Sequence, residues 1–256
     1  MASGLLVAGE GSPVIARNSG AESPFFLIAD HAGQEIPLNL NNLQLSHSER
    51  QRHIALDIGV AGMGPILADD LGACLIAQRY SRLVIDCNRN PQRRDAICEV
   101  SDGTVVPANL DLTPADRQAR IDAIFTPYHE AIDAELDARG GRPTVVVALH
   151  SFTPAMAGHA RPWRYGVLHL GASPFSDAML ARLREAFGPE VVGDNQPYRM
   201  DDIDYSIPRH AIGRGLDYLE LEVRQDLMAD AAGEAAVAAR IAPLLRAALA
   251  DIGLDG

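Results

Sequence analysis

Thr144-Val145-Val146-Val147-Ala148-Leu149-His150 (TVVVALH) is the stretch that decides the fold. Six residues in a row are β-branched or apolar, with no polar alternation. That is the pattern of a central strand covered on both faces, as parallel strands are. The run follows Gly140-Gly141 and stops at an imidazole. Shorter apolar runs at Phe25–Ala29, Ala73–Ala77, Leu83–Asp86, Tyr165–Leu170 and Tyr218–Val223 read as further strands.

Helical patterns lie between them. One starts near Glu49. Another starts at Thr113-Pro114, with Thr as cap and Pro at the first helical position. It carries Ile121, Ile124, Phe125, Tyr128, Ile132 and Leu136 on one stripe to Gly140-Gly141, and Pro127 is expected to kink it. Pro174–Phe187, with Ser173 as cap, and the Ala-rich Asp230–Ile252 complete the set. Residues 87–112 and 188–216 show no period and read as long loops, the second as a functional loop or lid. Alternation of strand and helix predicts an α/β fold, a three-layer sandwich around a mostly parallel mixed sheet, in one domain spanning 1–256.

The bulk composition narrows the partners. A net charge of −12, with no Lys/Arg-rich run to offset it locally, repels nucleic-acid phosphates and anionic lipid surfaces. Neither nucleic acid nor membrane is an expected partner, and a small anionic substrate would need arginines concentrated inside a cleft. Cys74, Cys87 and Cys98 form neither a CxxC pair nor a disulfide framework, which fits reduced thiols in a cytosol. The opening MASGLLVAGEGSPVIAR lacks the basic region of a secretory signal, and no apolar run approaches the ~18 residues of a membrane span. A cytoplasmic location is expected.

In an α/β sheet, ligands bind at the carboxyl ends of the strands. The first strand exits into His31 and Glu35, Leu83–Asp86 into Asn88 and Arg89, and TVVVAL into His150 and Ser151. The last runs through Glu220 and Glu222, which share one face, to Arg224. Two neutral imidazoles and a carboxylate are the ligand set of a catalytic zinc with a fourth position open to water, although several divalent metals accept it. A second carboxylate can move the proton, and guanidiniums can hold a substrate carboxylate or a developing oxyanion. These are the groups that amide hydrolysis needs. Ser151 has no G-x-S-x-G elbow around it and is set aside as a nucleophile. Asp57 reads equally as an orienter of a metal ligand and as an ordinary carboxylate at a helix end.

Six blocks in order resemble the N-formylglutamate amidohydrolase family: HAGQEIP (31–37), HIALDIGVAGMGPILADDLGA (53–73), SRLVIDCNRNP (81–91), LHSFTP (149–154), YGVLHL (165–170) and LELEVRQDL (219–227). The resemblance implies a phosphorylase/hydrolase-like fold akin to zinc carboxypeptidases and aspartoacylase-like deacylases. It implies His31, Glu35 and His150 as zinc ligands and Glu222 as general base and acid. By the same token Asn88 and Arg89 would bind the substrate carboxylate, with Arg82 as second anchor, and Arg224 and His210 of the Arg209-His210 pair would stand at the cleft. The carboxypeptidase-like relatives space the first ligand pair His-x-x-Glu, whereas Gln34 holds that position here and Glu35 follows. The implied reaction is zinc-dependent hydrolysis of N-formyl-L-glutamate to formate and glutamate. Another N-acyl amino acid or short peptide, or a metal-free binding protein of the same fold, are the alternatives.

Overall fold

A valine-rich run needs apolar cover on both faces, and the computed structural model, which describes residues 4–171 and 173–254, provides it. The ends of the expected 1–256 domain, residues 1–3 and 255–256, lie outside the described residues. Seven strands form the main sheet: β1 (Val14–Arg17), β2 (Phe25–Ala29), β3 (Cys74–Gln78), β4 (Val145–Phe152), β5 (Tyr165–Leu168), β6 (Val192–Asp194) and β7 (Asp217–Arg224). Their order is β1-β3-β2-β4-β7-β5-β6. The four central strands β3, β2, β4 and β7 are mutually parallel, β1 is antiparallel to β3, and β5 is antiparallel to β7 but parallel to β6.

Helices α1 (Val60–Leu71), α2 (Thr126–Ala138), α3 (Pro174–Phe187) and α4 (Ala231–Asp251) make the outer layers. The pleat separates the two cores. Val145, Val147 and Leu149 pack with Met63 and Leu67 of α1, Met179 of α3 and Ile241 of α4. Val146 and Ala148 pack on the other side with Tyr128, Ile132 and Leu136 of α2. The next residue on this second face is His150. The same face of β7 passes from Tyr218 to Glu220 and Glu222, so both strands turn from apolar to ionisable toward their carboxyl ends. Among the described residues no helix is long and apolar enough to cross a membrane.

Caps stand where short-range chemistry puts them. The Thr113 hydroxyl accepts from the Asp116 amide, Ser173 from Ser176, and Asp230 from Gly233. Three expectations need correction. Leu83–Asp86 is no strand: the segment turns on itself, with the Val84 amide bonded to the Ser81 carbonyl and the Asp86 amide to that of Ala96. Its apolar run reflects burial in the second core, which strand and buried loop share. The buried Arg120 ties this loop down by donating to the Val84 carbonyl at 2.9 Å and to Asn109 Oδ1 at 2.7 Å. The helix expected near Glu49 is a single turn, His47–Arg50, and the long helix starts only after Gly59. Pro127 is accommodated without a break by a π-helical stretch, Ile121–Phe125, that shifts the hydrogen-bond ladder ahead of the missing donor. The loops also hold more order than expected. A hairpin pairs Val100–Ser101 with Thr104–Val105, and 188–216 supplies edge strand β6 and a short helix, Ser206–His210.

Candidate active site

Strand β2 delivers Asp30 and His31 directly from its end. The turn that follows needs Gly33, because a Cβ there would lie 1.9 Å from the Arg79 carbonyl oxygen. The Asp57 amide bonds the His31 carbonyl at 2.9 Å. Gly59, at φ +86°, then swings the chain into α1 where a side chain would collide with Met228. Asp57 is thereby fixed beside β2 although it lies in a different segment of sequence.

His31, Asp57 and His150 meet there. Each offers one ligand atom within 4.8 Å of the others, and all three are buried. Asp57 Oδ2 lies 3.0 Å from His150 Nδ1 and 3.5 Å from His31 Nδ1, and it also accepts from the Ser151 amide at 3.2 Å. Behind the rings stand two more carboxylates. His31 Nε2 meets Asp86 Oδ1 at 2.7 Å, and Arg82 grips the other Asp86 oxygen at 2.6 Å while reaching Asp57 Oδ1 at 3.2 Å. Asp30 Oδ2 stands 3.5 Å from His150 Nε2, and its Oδ1 accepts from the Ser206 hydroxyl at 2.7 Å. A carboxylate behind each imidazole is the arrangement that orients metal-ligating histidines.

The donor set fits a divalent cation. With Nε2–H given to Asp86, His31 in its neutral form would present an Nδ1 lone pair, and that atom finds no hydrogen bond here. Glu222 Oε2 is likewise buried without a partner. Each such atom costs roughly 1–3 kcal/mol if nothing compensates it. Burial opposes ionisation of Asp57, but His31, His150 and Arg82 together hold its carboxyl well below the usual range. Glu222 shows the opposite balance: burial outweighs the nearby His150 and pushes it up to about 8. It sits in register with His150 on the adjacent parallel strand.

These groups open onto a cavity of about 600 Å³, room for an amino-acid derivative. Asn88, Arg89 and Arg82 line it. Arg82 is engaged with Asp57 and Asp86, and the Asn88 carbonyl oxygen Oδ1 also caps the short helix by accepting from the Tyr205 and Ser206 amides at 2.9 Å.

Three other candidates are not brought to it. Glu35 bridges to Tyr80 through its backbone and points its half-exposed carboxylate at Arg79, 3.0 Å away, so the carboxylate between the two imidazoles is Asp57. Arg224 binds Asp226 at 2.7 Å and the Arg161 and Trp163 carbonyls. His210 is buried between His129, at 2.7 Å, and Asp133, at 3.1 Å. Glu35→Gln is therefore expected to leave metal content and turnover within about two-fold of the parent, as exposed ion pairs contribute little. Loss of the metal in that variant, measured by elemental analysis, would return Glu35 to the ligand set. Asp30 and Asp86 went unnoticed in the sequence. Their one signal is that Asp30 adjoins His31 and Asp86 lies two residues before Asn88, and pairing across the fold is visible only in three dimensions.

An α/β enzyme with its reactive groups gathered at the carboxyl ends of a mixed sheet is the class that this architecture defines. The model of the N-formylglutamate amidohydrolase family matches residues 23–229, so the chain belongs to that family and is an amidohydrolase. No curated protein matches it. Among solved structures, a gene product of Agrobacterium tumefaciens is similar, with 35% identity, a TM-score of 0.93 and coverage of 97% of this chain and 99% of that one. N-formylglutamate amidohydrolase from Ralstonia eutropha shares the fold at a TM-score of 0.63 and 19% identity, over 92% and 98% of the two chains.

Proposed function

We propose that this amidohydrolase uses zinc to cleave the amide bond of a small N-acyl amino acid, with N-formyl-L-glutamate, the compound of the family's name, as the substrate to try first. The observation that carries the reading is the buried His31–Asp57–His150 cluster beside the partnerless Glu222. Zinc or another divalent ion held by those three residues would polarise the scissile carbonyl and acidify a water.

The chain's own residues supply the rest. Ionised, a form that a nearby dication would favour against the burial, Glu222 accepts a proton from the attacking water at Oε2 as the oxygen adds to the acyl carbon. It returns that proton to the leaving nitrogen as the C–N bond breaks, giving the free acid and the amine. Asn88 Nδ2 and Arg89 face the cavity and would hold the substrate's α-carboxylate. Arg82 keeps Asp57 and Asp86, and through them His31, in place.

The test is formate release from N-formyl-L-glutamate and a panel of other N-formyl and N-acetyl amino acids, before chelation, after it, and with zinc restored. Activity should vanish on chelation and return with zinc. Undiminished activity in chelator rejects the metal, and release from no member of the panel rejects the substrate class.

A further inference from the structure

Tyr198 is 39% exposed on the wall of the cavity, an aromatic ring left open for a ligand to cover. Its segment packs beside Glu222. Gly166 pairs with Glu222 across the sheet, and a Cβ at Gly166 would collide with the Gln196 carbonyl oxygen and lie 3.2 Å from Glu222 Cβ. The chain thus crosses Gly166 at Gln196 and brings Tyr198, two residues on, to the part of the wall that carries Glu222. Burial holds the phenol proton in place, Arg161 opposes that, and the charges of Glu222 and Asp57 add to the burial. The Arg161 guanidinium lies 4.7 Å from the ring centroid, and its Nη1 donates to the phenol oxygen at 3.1 Å and to the Thr153 hydroxyl at 3.0 Å. No carboxylate pairs with Arg161 among the described residues, and Arg224 holds its carbonyl at 3.2 Å. With its oxygen accepting from a cation, the phenol still has its own hydrogen to give, and no acceptor takes it among the described residues.

We propose that Tyr198 is a further catalytic residue, giving a hydrogen bond to the negative charge that develops on the acyl oxygen as water adds, and that Arg161 is the residue that positions it. The proposal rests on the reading of the cavity as a site of amide hydrolysis. There the scissile carbonyl must lie between Glu222, which activates the water, and a donor aimed at its oxygen. Arg82 is engaged with Asp57 and Asp86, and Arg89 stands with Asn88 where the substrate carboxylate is held. Tyr198 brings an unspent hydrogen to the Glu222 side. It keeps that hydrogen throughout, so no covalent bond forms or breaks at the phenol. A donor polarised by a guanidinium strengthens as the accepting oxygen turns negative, and a contact stronger in the transition state than in the ground state is one that lowers the barrier.

Tyr198→Phe keeps the ring under Arg161 and removes only the hydroxyl. On zinc-loaded protein with N-formyl-L-glutamate, kcat should fall by about a hundred-fold while KM stays within about two-fold of the parent. Arg161→Gln should lower kcat in the parent but hardly change it in Tyr198→Phe, a coupling that general support of the fold would not produce. A Tyr198→Phe kcat within about three-fold of the parent overturns the proposal. So does a rise in KM alone, the mark of a group that binds substrate and transition state equally. A phosphonamidate analogue, with an anionic tetrahedral phosphorus in place of the formyl carbon, gives a calorimetric readout that needs no turnover. Tyr198→Phe should bind it about a hundred-fold more weakly and bind L-glutamate as the parent does. If the parent hydrolyses no N-acyl amino acid, the hydrolytic reading falls and the analogue decides the donor by itself. Selective loss of the analogue in Tyr198→Phe supports the assignment, while unchanged binding, or an equal loss of L-glutamate, rejects it.

Discussion

Glu222→Gln should lower turnover by roughly a hundred- to ten-thousand-fold while the protein keeps its full complement of metal. The substitution preserves the shape of a side chain packed beside His150, so the fold and the His31–Asp57–His150 cluster should survive. It removes the one carboxylate placed both to take a proton from water and to hand it to the leaving nitrogen. The amide cannot do either, and Glu222 is only 4% exposed, which leaves little solvent at the position to substitute. Steady-state formate release and metal analysis on one preparation check it. A variant with more than about a tenth of parental turnover would assign proton transfer to another group, with Glu220 the nearest in sequence.

Asp57→Asn should weaken zinc binding by at least about a hundred-fold. Asp57 Oδ2 is the atom on which both imidazoles converge, at 3.0 and 3.5 Å, and Oδ1 is the point that ties Arg82 into the cluster. An amide keeps the volume but removes the negative charge that would balance a dication, and it leaves Asp86 as the one carboxylate paired with Arg82 among the described residues. Zinc binding to the native state raises the melting temperature through mass action, so the shift on adding zinc should be clear in the parent and absent in the variant. An equal shift in both would sink the assignment of Asp57 as the third ligand. The same measurement on Glu35→Gln should match the parent, since that carboxylate is occupied with Arg79 at the surface.

The difference between Glu35 and Asp57 shows where sequence reading ends. Glu35 follows His31 closely and Asp57 lies in a later block, and both are acidic residues in segments that resemble the family's motifs. Glu35 has the closer spacing, yet it sits in a turn whose backbone bridges to Tyr80, and that bridge sends its side chain to the surface. Asp57 has no spacing to recommend it. It reaches the imidazoles because its amide bonds the His31 carbonyl and its carboxylate accepts from the Ser151 amide, two contacts between segments far apart in the chain. Leu83–Asp86 shows the same limit in the fold: a continuous apolar run demands burial, but whether it is buried as strand or as turn depended on the Ser81 and Ala96 carbonyls.

What the sequence determined by itself is whatever short-range physics enforces. β-branched runs without alternation had to be covered on both faces, which made Val145–Phe152 central in the sheet. Thr113, Ser173 and Asp230 had to start helices, because each satisfies amide donors within three residues. The period of two in strands put Glu220 and Glu222 on one face, and register with β4 set Glu222 beside His150. The tertiary structure alone decided which carboxylate joins the two histidines, which arginines stay free for a ligand, and that Asp204 lies against Asn88 and Arg89. Those outcomes depend on charged side chains from separate segments being buried together, where each one's orientation is set by its partners and no residue spacing encodes the choice.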